Sequence, residues 1–159
     1  MVCSMADPRL LSQRFPRTSR YHPDWITASA SGGANSLWLT EWLTSAMDLR
    51  PGMRVLDLGC GRAASSIFLY REFGVQVWAA DLWFSASENI QRVRDAGAQD
   101  GVFPLHADAR SLPFAAEFFD AMGVEEQGLW MNDMLAQAQF APAGTDAPHV
   151  CFLDTGVNR

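Results

Sequence analysis

The sequence predicts a parallel α/β fold, a Rossmann-like sheet with flanking helices, from two observations. Apolar runs of strand length alternate with segments of helical length, and small residues follow the first run in a tight turn. The length of 159 residues and the 48% share of apolar residues fit one domain with a packed core. The predicted strands cover residues 53–58, 75–80, 102–106 and 118–122.

The chain begins with an irregular arm, residues 1–34, which contains three prolines and a Ser-Gly-Gly stretch. From Asn35 the apolar residues fall on a helical stripe, which Arg-Pro-Gly at 50–52 ends. The spacing predicts a helix that packs on the core.

Two further helices lie between the predicted strands. The first covers residues 63–73, and Gly74 closes it. The second begins at Ser85, which forms a capping box with Glu88, and it stops near Gly97. Strands joined by helices of this length indicate parallel pairing with crossover connections.

Composition excludes several function classes. The formal net charge is -6 without a Lys/Arg cluster, so no nucleic-acid partner is expected. The cysteines at 3, 60 and 151 stand far apart with no CxxC pair, which predicts no metal site, no disulfide framework and a reducing, cytoplasmic location. No apolar window approaches the length of a membrane span, and no export signal is predicted.

Unusual residues cluster at the carboxyl ends of the predicted strands, where parallel α/β sheets bind ligands. The first strand leads into Asp57-Leu58-Gly59-Cys60-Gly61, in which alternate glycines let the backbone approach a ligand. The second strand ends at Asp81, an acid placed to accept ribose hydroxyls. The third leads to Asp108, a carboxylate suited to the amino edge of an adenine.

Two of these signals have a second interpretation. Asp81 could be a charge that only favours the start of the following helix. The glycine turn could serve a nicotinamide cofactor, whose fingerprint is G-x-G-x-x-G. Ala64 stands in the third glycine position of that fingerprint, and an acid before the turn, Asp57, is typical of a different cofactor class.

Three motifs in this order resemble class I methyltransferases that depend on S-adenosylmethionine (SAM). Residues 55–61 are similar to the first motif of that family, and Ala-Asp-Leu at 80–82 to the segment with the ribose-binding acid. Asp108-Ala109, followed by Leu-Pro-Phe at 112–114, is similar to the adenine-side motif. The resemblance covers residues 33–121 and implies SAM as the cofactor and methyl transfer to a small-molecule acceptor.

The resemblance also implies roles on the methionine side of the cofactor. The backbone of Gly59 and Gly61 would cradle the methionine part, with Cys60 as a small residue between them. Asp57 would orient that loop or bind the amino group of SAM through water. Ala63 departs from the pattern, because many members have a third glycine there.

On the nucleoside side, the resemblance implies that Asp81 holds the ribose. Leu82 and Trp83 would lie against the adenine. Asp108 would accept from the adenine amino group, and the Ala109 N–H would donate to a ring nitrogen. No catalytic acid–base pair is predicted, because in-line methyl transfer depends mostly on positioning.

The methyltransferase core is predicted over residues 35–122 and as incomplete, because the family's sheet has seven strands. Residues 123–159 are interpreted as an unrelated tail. Within the tail, residues 149–158 resemble the segment of subtilisin-like serine proteases that bears the catalytic acid, here Asp154, but no nucleophile segment follows. We therefore expect a truncated or hybrid methyltransferase of impaired activity; the alternatives are a non-catalytic module that binds SAM or S-adenosylhomocysteine, and an inactive fragment.

Overall fold

The computed structural model describes residues 12–21, 35–124 and 149–152. A short 3₁₀ turn, Thr18–Arg20, precedes the elements of the sheet. Three α-helices follow within these ranges, α1 (Ser36–Thr44), α2 (Ala64–Phe73) and α3 (Ala86–Asp95). The strands are β1 (Arg54–Leu58), β2 (Gln76–Asp81), β3 (Val102–His106), β4 (Ala121–Val124) and β5 (His149–Phe152).

All five strands pair in parallel in the order β3-β2-β1-β4-β5. The predicted fold class, a Rossmann-like parallel sheet with flanking helices, is confirmed. The strand order reverses at β1, whose neighbours are β2 and β4. That reversal opens a crevice at the carboxyl ends of the strands, where sheets of this kind bind ligands.

The sheet contains a strand beyond the four that the sequence predicts for the core. β5 comes from the tail segment and pairs with β4, with Ala121 opposite His149 and Val124 opposite Phe152. β5 thus lies at the start of residues 149–158, the segment that resembles the protease motif. The identity of residues 123–159 as an unrelated tail stays a prediction.

The fourth strand lies later in the chain than predicted. It covers Ala121–Val124, whereas the sequence predicted 118–122. Phe118 and Phe119 precede the strand and pack instead against the indole of Trp78, with ring centroids 5.1 and 5.6 Å away. Burial of these aromatic rings outweighs their strand propensity.

The two faces of the sheet have different cores, because side chains alternate along each strand. Val55 and Val77 face the helices and pack with Ile67 of α2 and Val93 of α3. The opposite face carries Leu56, Leu58, Ala80 and Met122, covered by residues of the 107–120 segment. A right-handed return from β3 to β4 places that segment on the face opposite the helices.

Local signals explain the ends of the helices. The Asn35 side chain accepts from the N–H of Trp38 and caps α1, which ends at Thr44, before the predicted stop at 50–52. The predicted capping box of α3 is confirmed, since Ser85 accepts from the Glu88 N–H and Glu88 accepts in return.

The segment 12–21 packs on α1 and α2. One Glu41 carboxylate accepts from the backbone N–H groups of Arg17 and Thr18 and from the Thr18 hydroxyl. Tyr21 packs on Phe68. Thr18 is fully buried as a result.

Strand β3 contains Pro104 and lies at the end of the strand order. Gly101 O accepts from Val77 N, and Ala107 N donates to Asp81 O. Because backbone groups alternate along a strand, the backbone of Pro104 faces away from β2. The missing N–H of proline therefore costs the sheet no ladder hydrogen bond.

Within the described ranges no helix is long and apolar enough to cross a membrane. In the same ranges, no group of three or more His, Cys, Asp and Glu side chains could hold a metal ion.

Candidate functional site

Asp57 forms the floor of the site at the end of β1. Its side chain points to the helix face and is 2% exposed. The hydroxyls of Ser65 and Ser66, in the first turn of α2, both donate to its Oδ2, the former at 2.7 Å. Burial raises the pKa of the Asp57 carboxyl, and the two hydroxyl donors oppose that rise. The arrangement ties the start of α2 to β1, which supports the predicted role of Asp57 in orienting the loop.

The loop between β1 and α2 has the backbone conformation that favours glycine. Gly59 and Gly61 have φ of 77° and 53°, and a Cβ built on either would meet nothing within 4 Å. Open space therefore lies beside both glycines, where a ligand can approach the backbone. Ala63 also has a positive φ, 60°, which explains physically why a glycine suits this position.

Asp81, at the end of β2, holds two loops together. Its Oδ2 accepts from the Gly61 N–H at 2.8 Å. Its Oδ1 accepts from the N–H groups of Trp83 at 2.7 Å and Phe84 at 2.9 Å. The side chain is only 5% exposed. The carboxylate thus accepts hydrogen bonds from three backbone N–H groups. Its predicted role as an acceptor for ribose hydroxyls does not by itself require these three bonds.

Cys60 is a buried free thiol in the same loop. Burial raises its pKa, and the nearby carboxylates of Asp57 and Asp81 raise it further. This environment disfavours the thiolate, which is the nucleophilic form of cysteine. This environment agrees with the prediction that Cys60 is a small residue of the loop.

The residues after β2 present apolar surface to solvent. Leu82 is 46% exposed and Trp83 is 80% exposed. Trp83 therefore does not pack on a helix, which leaves its predicted position against an adenine open. Its backbone is held by Asp81, so the exposed indole extends from a fixed point in the chain.

Asp108 lies after β3 in a more open environment. The guanidinium of Arg110 donates from Nε to both carboxylate oxygens, at 3.0 and 3.1 Å. The hydrogen bond from Arg110 lowers the pKa of Asp108 to about 2. Ala109 is partly buried against the apolar core on this face of the sheet. Asp108 is therefore ionised and can accept a further hydrogen bond, as its predicted role requires.

The predicted residues meet at one edge of the sheet. Gly59 N and Cys60 N donate to Ala80 O, which joins the glycine loop to the end of β2. Ala107 N donates to Asp81 O, which joins the segment carrying Asp108 and Ala109 to the same strand.

Sequence reasoning missed four polar residues of the site. Ser65 and Ser66 bind Asp57, Asn89 binds the glycine loop, and Arg110 pairs with Asp108. Only Arg110 carries a local signal, two residues from an acid. Asp154 of the predicted protease-like segment lies outside the described residues, so that resemblance stays a prediction.

Comparison with known proteins identifies a family. A family model described as a methyltransferase domain matches residues 55–141, past the predicted end of the core at 122. Methyltransferase GfsG of Streptomyces halstedii is 35% identical over 60% of this chain and 34% of its own length. Demethylmenaquinone methyltransferase of Mycobacterium sp. (strain KMS) is 31% identical over 74% of this chain and 47% of its own length. The chain thus spans about a third to a half of the curated relatives it matches.

A solved structure supports the same fold. It is geranyl diphosphate C-methyltransferase from Streptomyces coelicolor A3(2), in complex with Mg²⁺, geranyl-S-thiolodiphosphate and S-adenosylhomocysteine. The two chains superpose with a TM-score of 0.52 and 25% identity, over 57% of this chain and 33% of the other.

Proposed function

This chain belongs to the methyltransferase domain family, and on that premise we propose that it binds SAM and transfers its methyl group to a small-molecule acceptor. The observation that carries the proposal is the link between the glycine loop and the acid at the end of β2. Gly61 N donates to Asp81 at 2.8 Å, beside open space at Gly59 and Gly61. A backbone cradle next to a carboxylate suits a ligand with an amino-acid end and a ribose.

The residues present fit the two ends of that ligand. Gly59 and Gly61 would receive the methionine part, because a Cβ built on either would meet no atom within 4 Å. Asp81 would accept from the ribose through the hydrogen-bonding capacity that three backbone donors leave free. Asp108 would accept from the adenine amino group, and the Ala109 N–H would donate to the ring.

SAM, when bound, supplies a methyl carbon on a positive sulfur, which an acceptor atom attacks in line while the C–S electron pair stays on sulfur. The chain's own part in this chemistry is positioning. Asp57 and Asp81 fix the loops that hold the cofactor. Relatives named for demethylmenaquinone and geranyl diphosphate support a small organic molecule as the class of acceptor.

The test is calorimetric titration of the purified chain with S-adenosylhomocysteine. We expect saturable binding by the wild type and binding at least tenfold weaker by Asp81→Asn, since one charged acceptor is lost. Asp100→Asn is the matched control, because it makes the same substitution at an exposed acid of the turn before β3. Circular dichroism establishes that each variant is folded. A folded wild type that does not bind, or an Asp81→Asn variant that binds equally well, contradicts the proposal.

A non-catalytic cofactor-binding module is the second candidate. This candidate is favoured because all of the residues given roles above would contact the cofactor, and none of them has a proposed role toward the methyl acceptor. Transfer of a labelled methyl group from SAM to a panel of small acceptors separates the two candidates. We further propose a reducing, cytoplasmic location, which the free thiol of Cys60 and the wide spacing of the cysteines support.

A further inference from the structure

The backbone of Gly61 is hydrogen-bonded on both sides of its Cα by side chains of different elements. Its N–H donates to Asp81 Oδ2 at 2.8 Å, and its carbonyl accepts from Asn89 Nδ2 at 2.9 Å. Asp81 ends β2, whereas Asn89 lies in α3. Gly61, in the middle of the glycine loop, is therefore hydrogen-bonded to the end of a strand on one side and to a helix on the other.

Asn89 is placed for this contact by the start of its own helix. The capping box at Ser85 fixes where α3 begins, and Asn89 N donates to Ser85 O in the first helical turn. The Asn89 side chain is 1% exposed. A buried amide of this kind is costly unless its hydrogen bonds are made, so its orientation is strongly determined.

Arg92 determines which end of the Asn89 amide faces the loop. Its Nη1 donates to Asn89 Oδ1 at 2.8 Å. A guanidinium has donors only, so it must meet the amide oxygen and thereby turns the amide nitrogen toward Gly61 O. The same nitrogen makes a longer contact, 3.9 Å, with the Cys60 sulfur.

We propose that Asn89 is a positioning residue for the methionine end of SAM and that Arg92 acts through it. This inference rests on the proposed function. Gly61 has φ of 53° and the wide conformational freedom of glycine, so the orientation of its backbone is not determined by the chain itself. The two flanking hydrogen bonds determine it instead, and Asn89 supplies the one from the helix.

The position of Asn89 predicts a selective effect on ligands. The glycine loop would receive the amino acid of the cofactor, whereas the nucleoside would be held after β2 and β3. Loss of the Asn89 hydrogen bond should therefore weaken a ligand that has the amino acid and spare one that lacks it. A residue needed only for folding would affect both ligands alike.

The experiment compares two ligands by titration calorimetry. S-adenosylhomocysteine has the amino acid, whereas 5′-methylthioadenosine keeps the nucleoside and the thioether without it. Asn89→Asp keeps the volume and the partnership with Arg92 but replaces the donor with an oxygen that repels Gly61 O. We expect about tenfold weaker binding of S-adenosylhomocysteine and less than a twofold change for methylthioadenosine.

Arg92→Ala is the second variant, because it leaves Asn89 in place and removes only the group that orients it. We expect about threefold weaker binding of S-adenosylhomocysteine. Arg94→Ala is the matched control on the same helix, an exposed arginine with the same charge change, and it should bind as the wild type does.

The outcomes separate the two proposals. Wild-type binding of S-adenosylhomocysteine with no loss in Asn89→Asp overturns the role of Asn89 and leaves the proposed function intact. An equal loss for both ligands also overturns it, because that result indicates general destabilisation. A folded wild type that binds neither ligand overturns the proposed function itself.

Discussion

The two ends of the candidate site use the same residue type in opposite ways. At the glycine loop, Asp57 is buried and accepts from two serine hydroxyls. After β3, Asp108 lies near solvent and pairs with the exposed Arg110. Burial raises the pKa of the first carboxyl, whereas hydrogen bonding to Arg110 lowers the pKa of the second.

This difference indicates that one end of the site is built with the fold and the other is not. Removing a buried acceptor leaves its donors without partners, which costs free energy of unfolding. Removing an exposed one costs little, because water replaces it. The glycine-loop end should therefore be rigid before a ligand arrives, and the end after β3 should adjust to the ligand.

The largest expected effect is on stability at Asp57. Asp57→Ala leaves the Ser65 and Ser66 hydroxyls without their acceptor, so we expect the free energy of unfolding to fall by about 2–4 kcal/mol. Asp108→Ala should lower the free energy of unfolding by much less than Asp57→Ala does, because water replaces the exposed carboxylate. Urea unfolding followed by circular dichroism measures both. Equal midpoints for the two variants would remove the contrast between the ends.

The pH dependence of stability should have opposite signs at the two ends. The raised pKa of Asp57 means that the folded state binds its proton more tightly, so this contribution is present at low pH. It is lost as the pH rises from the usual value of 3.8 through the raised one, with a slope of at most about 1.4 kcal/mol per pH unit. The lowered pKa of Asp108 means that its contribution is present above 3.8 and is lost as the pH falls toward about 2.

Unfolding of the wild type, Asp57→Asn and Asp108→Asn between pH 2 and 7 measures these signs. The difference in free energy of unfolding between wild type and Asp57→Asn should decrease as the pH rises above 3.8. The difference between wild type and Asp108→Asn should increase as the pH rises from about 2 to 3.8. The same sign for both pairs contradicts the assignment of the two environments.

A smaller effect tests the backbone of the glycine loop. Ala63 has φ of 60°, so Ala63→Gly relieves left-handed strain of about 1–2 kcal/mol. Loss of the buried methyl group of Ala63 cancels about 0.8 kcal/mol of that relief. We therefore expect the free energy of unfolding to rise by less than about 1 kcal/mol. Ala64→Gly, in the first turn of α2, should instead lose about 1 kcal/mol. Destabilisation by both variants contradicts a strained Ala63.

The smallest effect is expected at Arg110. Its own backbone N–H also donates to Asp108 Oδ1, at 2.9 Å, and still orients the carboxylate in Arg110→Ala. We therefore expect the affinity for S-adenosylhomocysteine to change less than threefold, in contrast to the tenfold loss expected for Asn89→Asp. A tenfold loss of affinity in Arg110→Ala would contradict the contrast, because it would indicate that the end after β3 depends on fixed side-chain contacts as much as the glycine loop does.

Sequence reasoning succeeded where signals are local. The bounds of β3 and the capping box at Ser85 follow from neighbouring residues, and both are confirmed. The start of β4 was wrong because Phe118 and Phe119 suit a strand but bury their rings against Trp78, far away in sequence.

The contacts of the site that were missed join distant parts of the chain. Asn89 donates to the Gly61 carbonyl, 28 positions away in sequence. No local sequence pattern indicates that an asparagine inside a helix will hydrogen-bond to a distant loop. Asp57 was predicted from its place before the turn, but its serine partners were not, since serine is common at helix starts. The cofactor contacts predicted for the glycine loop, Asp57, Asp81, Leu82, Asp108 and Ala109 all stay predictions.

Pro104 affects how copies of this chain meet at high concentration. A parallel sheet can recruit a second molecule by extending its hydrogen-bond ladder past the outermost strand. Pro104 lies at the middle of β3, and its backbone faces away from β2 without an N–H donor. A strand added at this edge would therefore lack one hydrogen bond at the centre of the pairing. One residue that costs the fold no hydrogen bond therefore protects this edge against self-association.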